Sequence, residues 1–216
     1  MQAAVLEQPK PQTTPPPSLA RPAATRQAPL ARRAKRTRNR IDTLEKFLAG
    51  GKPEDGFKYE WNNGVIEKSP KMINYKNFYI VERLTDMFYA LKKQLPAGGQ
   101  LFTEPQSMTS ATQLRIPDMA YYTAQQIEQG AKGEMPAVPG FIIELISDND
   151  PQPKVLEKVD EYFNAGAQVV WLVLPQVRAV YVYTSPIEVY ICRDERVCSA
   201  GQVVPGFSIS AGELFG

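Results

Sequence analysis

The stretch Phe141-Ile142-Ile143-Glu144-Leu145-Ile146 sets one carboxylate among five apolar side chains. It reads as an interior strand running from Phe141 to Ser147. A carboxylate placed there suffers a desolvation cost of several kcal/mol unless it is neutralised, paired or bound to metal. Glu144 is therefore the first side chain for which a function must be sought.

A second acid lies upstream, in Arg115-Ile116-Pro117-Asp118-Met119-Ala120-Tyr121. Pro117 has no N–H to give a ladder, which favours an edge, a bulge or a strand mouth, where Asp118 can point into a cleft. Two carboxylates from neighbouring strands, with the backbone carbonyl of Leu145, would supply the hard oxygen ligands that Mg²⁺ prefers and leave positions for water and phosphate. That is the layout of a metal-assisted phosphodiesterase. Such a site also needs a cation to orient the attacking water. Downstream, a helix is expected from about Pro153 to Asn164, with caps offered by Asp148-Asn149-Asp150 and an end at Gly166. Val155, Val159, Tyr162 and Phe163 form its buried face, Lys158 lies at the border beside Tyr162, and Lys154 points farther toward solvent. Lys158 is the chosen cation.

Farther out, a short helix through Leu44, Phe47 and Leu48 follows a cap at Asp42 or Thr43 and stops at Gly50-Gly51. A hairpin, Phe57 to Trp61 and Val65 to Glu67, turns on Asn62-Asn63-Gly64, whose Asn-Gly pair supplies the positive φ of a tight reversal. Glu60 on this hairpin is a secondary candidate for the site. Its equally weighted alternative is a surface strand acid. Between Tyr75 and Leu95, Phe78, Val81, Leu84, Phe88 and Leu91 recur at three and four residues, marking an amphipathic helix. Leu101 to Ser107, Leu114 to Tyr122, Val169 to Leu174, Val177 to Tyr183 and Ile187 to Cys192 read as strands, and Gly206 to Phe215 closes the domain.

The charge is unevenly spread. Residues 1 to 40 carry nine Lys or Arg and one acid, Glu7, leaving sixteen basic and twenty-two acidic residues, a balance of −6, in the remainder. This excludes a uniformly basic nucleic-acid binder, so attraction to phosphate must come from the tail or from a local patch offset by metal. Residues 1 to 30 hold seven prolines and few large apolar side chains, and the segment 1–41 reads as a disordered, Pro-rich basic tail ahead of a domain at 42–216. Arg32 to Arg40 contains six positive charges suited to a polyanion, although a solubilising terminus accounts for them equally well. No membrane span or secretory signal is legible, which points to the cytoplasm. The chain has no histidine, so His-based triads and His-ligated zinc are removed together. Cys192 and Cys198, its two cysteines, are expected as free thiols around a turn at Arg193-Asp194-Glu195-Arg196.

Taken in order and at their separations, several segments resemble the PD-(D/E)XK nuclease superfamily and, within it, the "putative restriction endonuclease" family of the Uma type. They are Tyr59-Glu60-Trp61-Asn62-Asn63-Gly64-Val65-Ile66-Glu67, Arg115-Ile116-Pro117-Asp118, Phe141 to Ser147, Glu157-Lys158-Val159-Asp160-Glu161-Tyr162, Gly166 with Trp171-Leu172-Val173, and Pro205-Gly206-Phe207-Ser208. The resemblance spans roughly Asp42 to Phe215. It implies an α/β, restriction-endonuclease-like mixed sheet flanked by helices. It implies further that Asp118 and Glu144 bind the metal, Mg²⁺ or Mn²⁺, and that Lys158 is the superfamily's lysine moved from strand to helix. Ile146, two residues after Glu144 on the same strand face, stands where the usual motif has that lysine. Asn77 stands where the family's long helix commonly begins with a histidine.

The expected activity is metal-dependent hydrolysis of DNA phosphodiester bonds. A homodimer would suit cutting both strands, but no interface is legible in the sequence. The rival is a catalytically inactive nucleic-acid-binding or interaction module on the same scaffold, and a third possibility is an enzyme of the same fold acting on RNA. For Asp118 the bland reading is a turn cap, and for Glu144 a buried pair with Lys158. A buried ion pair seldom stabilises better than packed apolar side chains, which weighs toward function. Tyr121, Tyr122, Tyr181, Tyr183 and Tyr190 are spaced for sheet packing rather than base stacking, and Gln106 is best read as a polar strand-end residue.

Overall fold

The computed structural model describes residues 43–71, 75–95 and 99–216. The tail, with Arg32 to Arg40 and the expected cap at Asp42, lies outside them. Helix α1, Leu44–Ala49, begins where the Thr43 side chain accepts from the Lys46 N–H and ends at Gly50. Strands β1, Phe57–Asn62, and β2, Val65–Pro70, form the expected hairpin, with Asn63 and Gly64 at φ 50° and 79°. Both turn residues are left-handed, the conformation for which an Asn-Gly pair is suited.

The long helix α2 is Tyr75–Lys92. The two strands expected between Leu101 and Tyr122 are instead four: β3, Gln100–Thr103; β4, Ser107–Ser110; β5, Gln113–Arg115; and β6, Met119–Tyr122. They divide between two sheets. β4 and β5 join the hairpin in an antiparallel sheet ordered β2-β1-β5-β4, while β3 and β6 belong to a six-stranded sheet. The chain crosses from one sheet to the other at Ile116-Pro117-Asp118, where a residue without an N–H interrupts no ladder. A further helix, α3, Ala124–Ala131, starts at a reciprocal cap between Thr123 and Gln126.

The main sheet continues with β7, Phe141–Leu145; β8, Val169–Leu174; β9, Ala179–Tyr183; and β10, Val189–Cys192, in the order β10-β9-β8-β7-β6-β3. β7 and β8 are parallel and the other pairs antiparallel, so the sheet is mixed. Helix α4, Gln152–Asn164, connects the parallel pair. Its cap is Pro151 with no side-chain bond, and the Asp150 carboxylate, one of the expected caps, instead accepts from the Ser147 N–H and hydroxyl. Strands β11, Val197–Ser199, and β12, Ser208–Ser210, form a small ribbon, and α5, Ala211–Phe215, ends the chain.

Alternation along β7 separates the two faces of the main sheet. Phe141, Ile143 and Leu145 pack with Ile80, Leu84 and Phe88 of α2 and with Trp171 and Phe207. Ile142 packs on the other face with Val159 and Tyr162 of α4 and Val170 and Leu172 of β8. Phe47, Trp61, Leu114 and Ile116 make a third cluster under α1. Cys192 and Cys198 are free thiols, both fully buried. No helix among the described residues is long and apolar enough to cross a membrane.

Candidate functional site

Glu144 follows Ile143 on β7 and so turns to the face covered by α4, where its Oε1 accepts a 2.6 Å hydrogen bond from the Tyr162 hydroxyl. Asp118, at the entrance to the neighbouring strand β6, reaches the same cleft. Its Oδ2 accepts from the Leu145 N–H at 2.7 Å and its Oδ1 from the Lys58 ammonium at 2.6 Å. The two acids expected to share a site therefore come together, on strands that are hydrogen-bonded neighbours. At Leu145, the group that meets Asp118 is the backbone N–H; the residue lines the cleft, as do Ile146 and Asn77.

Glu60 is not a surface acid. It is buried, its Oε1 accepts from the Ile116 N–H at 2.8 Å, and its carboxylate lies 2.9 Å from the Lys158 ammonium and 3.3 Å from Arg115. Lys158 is thus closer to Glu60 than to Glu144, from which it is separated by 3.8 Å. Its side chain keeps about a fifth of its surface exposed and Lys154 more than half, so the helix border was placed as expected.

Lys58 and Arg115 were not anticipated. Lys58 alternates with Glu60 on one face of β1, so both reach the crossing segment: Lys58 donates to the Ile116 carbonyl at 3.2 Å while Glu60 takes the N–H of the same residue. Arg115, fully buried, donates Nε to Glu161 at 2.6 Å and NH2 at 2.8 Å, and reaches Glu67 at 2.5 Å. Buried charges of this kind persist only when partnered, and here one guanidinium joins β2, β1 and α4.

These interactions set the electrostatics. Burial raises the Glu144 carboxyl above its ordinary range; Lys158 and Lys58 pull it down, and the negative charges of Asp118 and Glu60 push it up further. Burial opposes the Lys58 charge, but Asp118 and Glu144 outweigh it and hold the ammonium above the ordinary lysine value. Burial likewise opposes the charge on Lys158, and Glu144 and Glu60 outweigh it. Burial above all, then the charges of Glu144 and Glu60, keep the Tyr162 hydroxyl protonated as a donor.

The cleft encloses about 570 Å³ between the hairpin, the crossing segment and α4, with Lys58, Glu60, Asp118, Glu144 and Lys158 in its wall. Among the described residues no three acids, cysteines or histidines are gathered into a ready-made metal cage. The donor set still suits a hard divalent cation. Glu144 is buried, with its carboxylate 2.6 Å from the Tyr162 hydroxyl and 3.8 Å from the Lys158 ammonium, and Mg²⁺ is commonly held by one or two carboxylates with the remaining positions filled by water and substrate oxygens.

Comparison with known proteins agrees with this architecture. A family model described as "Putative restriction endonuclease", Uma2, matches residues 44–212. No curated protein matches the chain. The crystal structure of a "putative nuclease belonging to DUF820" from Anabaena variabilis superposes with a TM-score of 0.68 at 21% identity, covering 80% of this chain and 97% of that one. The family match covers most of the chain, from the first helix to the last, and includes every residue that lines the cleft: this protein belongs to the Uma2 family of restriction-endonuclease-like proteins.

Proposed function

We infer that the cleft is the active site of an endonuclease that hydrolyses DNA phosphodiester bonds with a divalent metal, Mg²⁺ or Mn²⁺. One observation carries this reading: Asp118, at the entrance to β6, and Glu144, on the neighbouring strand β7, are both buried and enter one cleft. Asp118, Glu144 and the Leu145 carbonyl would hold the ion. When bound, it supplies a Lewis acid that polarises the phosphate and lowers the pKa of water.

The chain's own residues do the rest. Tyr162, by donating to Glu144 Oε1, fixes that carboxylate, so that Oε2 would be the oxygen offered to the ion. Lys158, held by Glu60 at the cleft wall, is placed to orient the attacking water and to face negative charge as it grows on the phosphate. Glu60 takes the Ile116 N–H and Lys58 its carbonyl, and together they fix where Asp118 begins.

The test is cleavage of plasmid and linear DNA, with an RNA arm, in Mg²⁺ or Mn²⁺ and in chelator. The reading requires metal-dependent products that vanish in Glu144→Ala while the thermal transition persists. Parent-rate cleavage by that variant would overturn it.

A further inference from the structure

The pairing of Lys58 with Asp118 goes beyond what the nuclease reading requires. Asp118 Oδ1 is occupied, at 2.6 Å, by an ammonium whose side chain is 93% buried. The placement is specified twice over, since the same Nζ donates to the Ile116 carbonyl, two residues before Asp118 in the chain. Lys58 comes from the other sheet, so the cation and the acid it covers are brought together by the crossing of the chain and not by local sequence.

Around the cleft, the carboxylates of Glu60, Asp118 and Glu144 are met by Lys58, Lys158 and Arg115, with Arg115 also serving Glu67 and Glu161. Lys158 lies between Glu60, at 2.9 Å, and Glu144, at 3.8 Å, so the ammonium that touches Asp118 is that of Lys58. A dication approaching Asp118 therefore meets a fixed positive charge bonded to the very carboxylate it must share. Two positive charges that share one buried carboxylate repel each other more strongly than they would in open water.

The geometry points to Lys58 as a resident counter-cation that competes with the divalent metal for Asp118. It neutralises the acid when no metal is bound, and it weakens metal affinity in the free protein. The ammonium must give up Oδ1 as the ion arrives. It then remains in the cleft wall, facing the space in which a phosphate would sit. The consequence is that metal is held weakly until a polyanion supplies the negative charge that Lys58 turns toward, which couples metal loading to substrate. This inference rests on the proposed metal site at Asp118 and Glu144.

The test is Mn²⁺ binding by calorimetry to the full chain without nucleic acid, for the parent, Lys58→Met and Lys58→Arg. Lys58→Met keeps the bulk and removes the charge, and is expected to bind Mn²⁺ at least tenfold more tightly, about 1.4 kcal/mol. Lys58→Arg is expected to stay close to the parent. Tight binding by Lys58→Met with none detectable in the parent supports the inference as well. Equal or weaker binding by Lys58→Met, with the parent binding, overturns the inference and leaves the metal site standing. No binding by any of the three overturns both. Should Lys58→Met fail to fold, the Lys58 ¹⁵Nζ resonance of the parent decides: it must shift as Mg²⁺ is added. If the Leu145 amide moves while the Lys58 signal stays fixed, the inference is wrong.

Discussion

Arg115 and Glu161 meet through two parallel hydrogen bonds, Nε to Oε2 at 2.6 Å and NH2 to Oε1 at 2.8 Å, a bidentate clasp between strand β5 and helix α4. Since the guanidinium also serves Glu60 and Glu67, its removal takes the cation from Glu161 and leaves Glu60 to Lys158 and Glu67 to Lys154. Arg115→Met is expected to cost about 3 to 5 kcal/mol of stability, the usual penalty for deleting one partner of a buried ion pair. Chemical denaturation measures it directly. Arg115→Lys should recover only part, because a point charge cannot reproduce the planar fork. Loss within 1 kcal/mol for Arg115→Met would show that the cluster is solvated in solution, by the usual scale for exposed pairs of about 0 to 1 kcal/mol.

Glu60→Gln tests whether Lys158 acts from the place in which Glu60 holds it. The amide can still accept from the Ile116 N–H, but the charge 2.9 Å from Lys158 is gone. Metal-dependent cleavage is expected to fall roughly 10- to 100-fold, the usual effect of losing a supporting partner. The thermal transition should fall as well, since Glu60 is buried between Lys158 and Arg115, so cleavage is compared at a temperature at which both proteins are folded. Unchanged cleavage would remove Glu60 from the machinery and return it to a structural role.

The pH dependence of stability should carry a contribution from Glu67. Burial alone would lift its carboxyl, but the hydrogen bond and charge of Arg115, aided by Lys154, hold it below the ordinary range. An acid with a depressed folded-state pKa stabilises the fold above its unfolded value, and that contribution is lost as pH falls through the folded one. The loss should therefore develop below about pH 4.3. Urea midpoints of the parent and Glu67→Gln should converge as pH is lowered from neutrality into that window. A gap that stays constant with pH would mean that Glu67 is not the group responsible.

For the basic segment, replacing Arg32, Arg33, Lys35, Arg36, Arg38 and Arg40 with Gln in the full chain should weaken DNA retention at low salt. Every phosphate that is no longer neutralised by a side chain lowers the slope of log affinity against log salt by about 0.9, so the slope should fall by up to about 5. Filter binding across a salt series measures this. A slope that does not change would assign the segment to solubility.

Much of the scaffold was legible because it is written in local chemistry. The Asn63-Gly64 turn, the apolar spacing of α2 and the single acid in β7 each depend on a few adjacent residues. The sheet assignment of residues 101–122 was not legible, since a period of two marks a strand without saying which sheet it joins. Helix α3 has no buried residue and so lacked an apolar stripe; Thr123 and Gln126 were its available signal. Lys58 and Arg115 have no motif of their own. Yet a hairpin closed at Asn63-Gly64 puts Glu60 directly opposite Glu67, and two like charges so placed demand a cation from elsewhere. That register could have located the charge cluster, though not which lysine or arginine fills it.

Cys192 and Cys198 have no exposed surface, and burial pushes both thiols up, holding them in the unreactive protonated form. They are the chain's whole complement of cysteine. A thiol-specific dye should therefore ignore the native protein and label it only as the fold opens. The molecule carries its own gauge of integrity, so an inactive variant can be told from an unfolded one in the same tube.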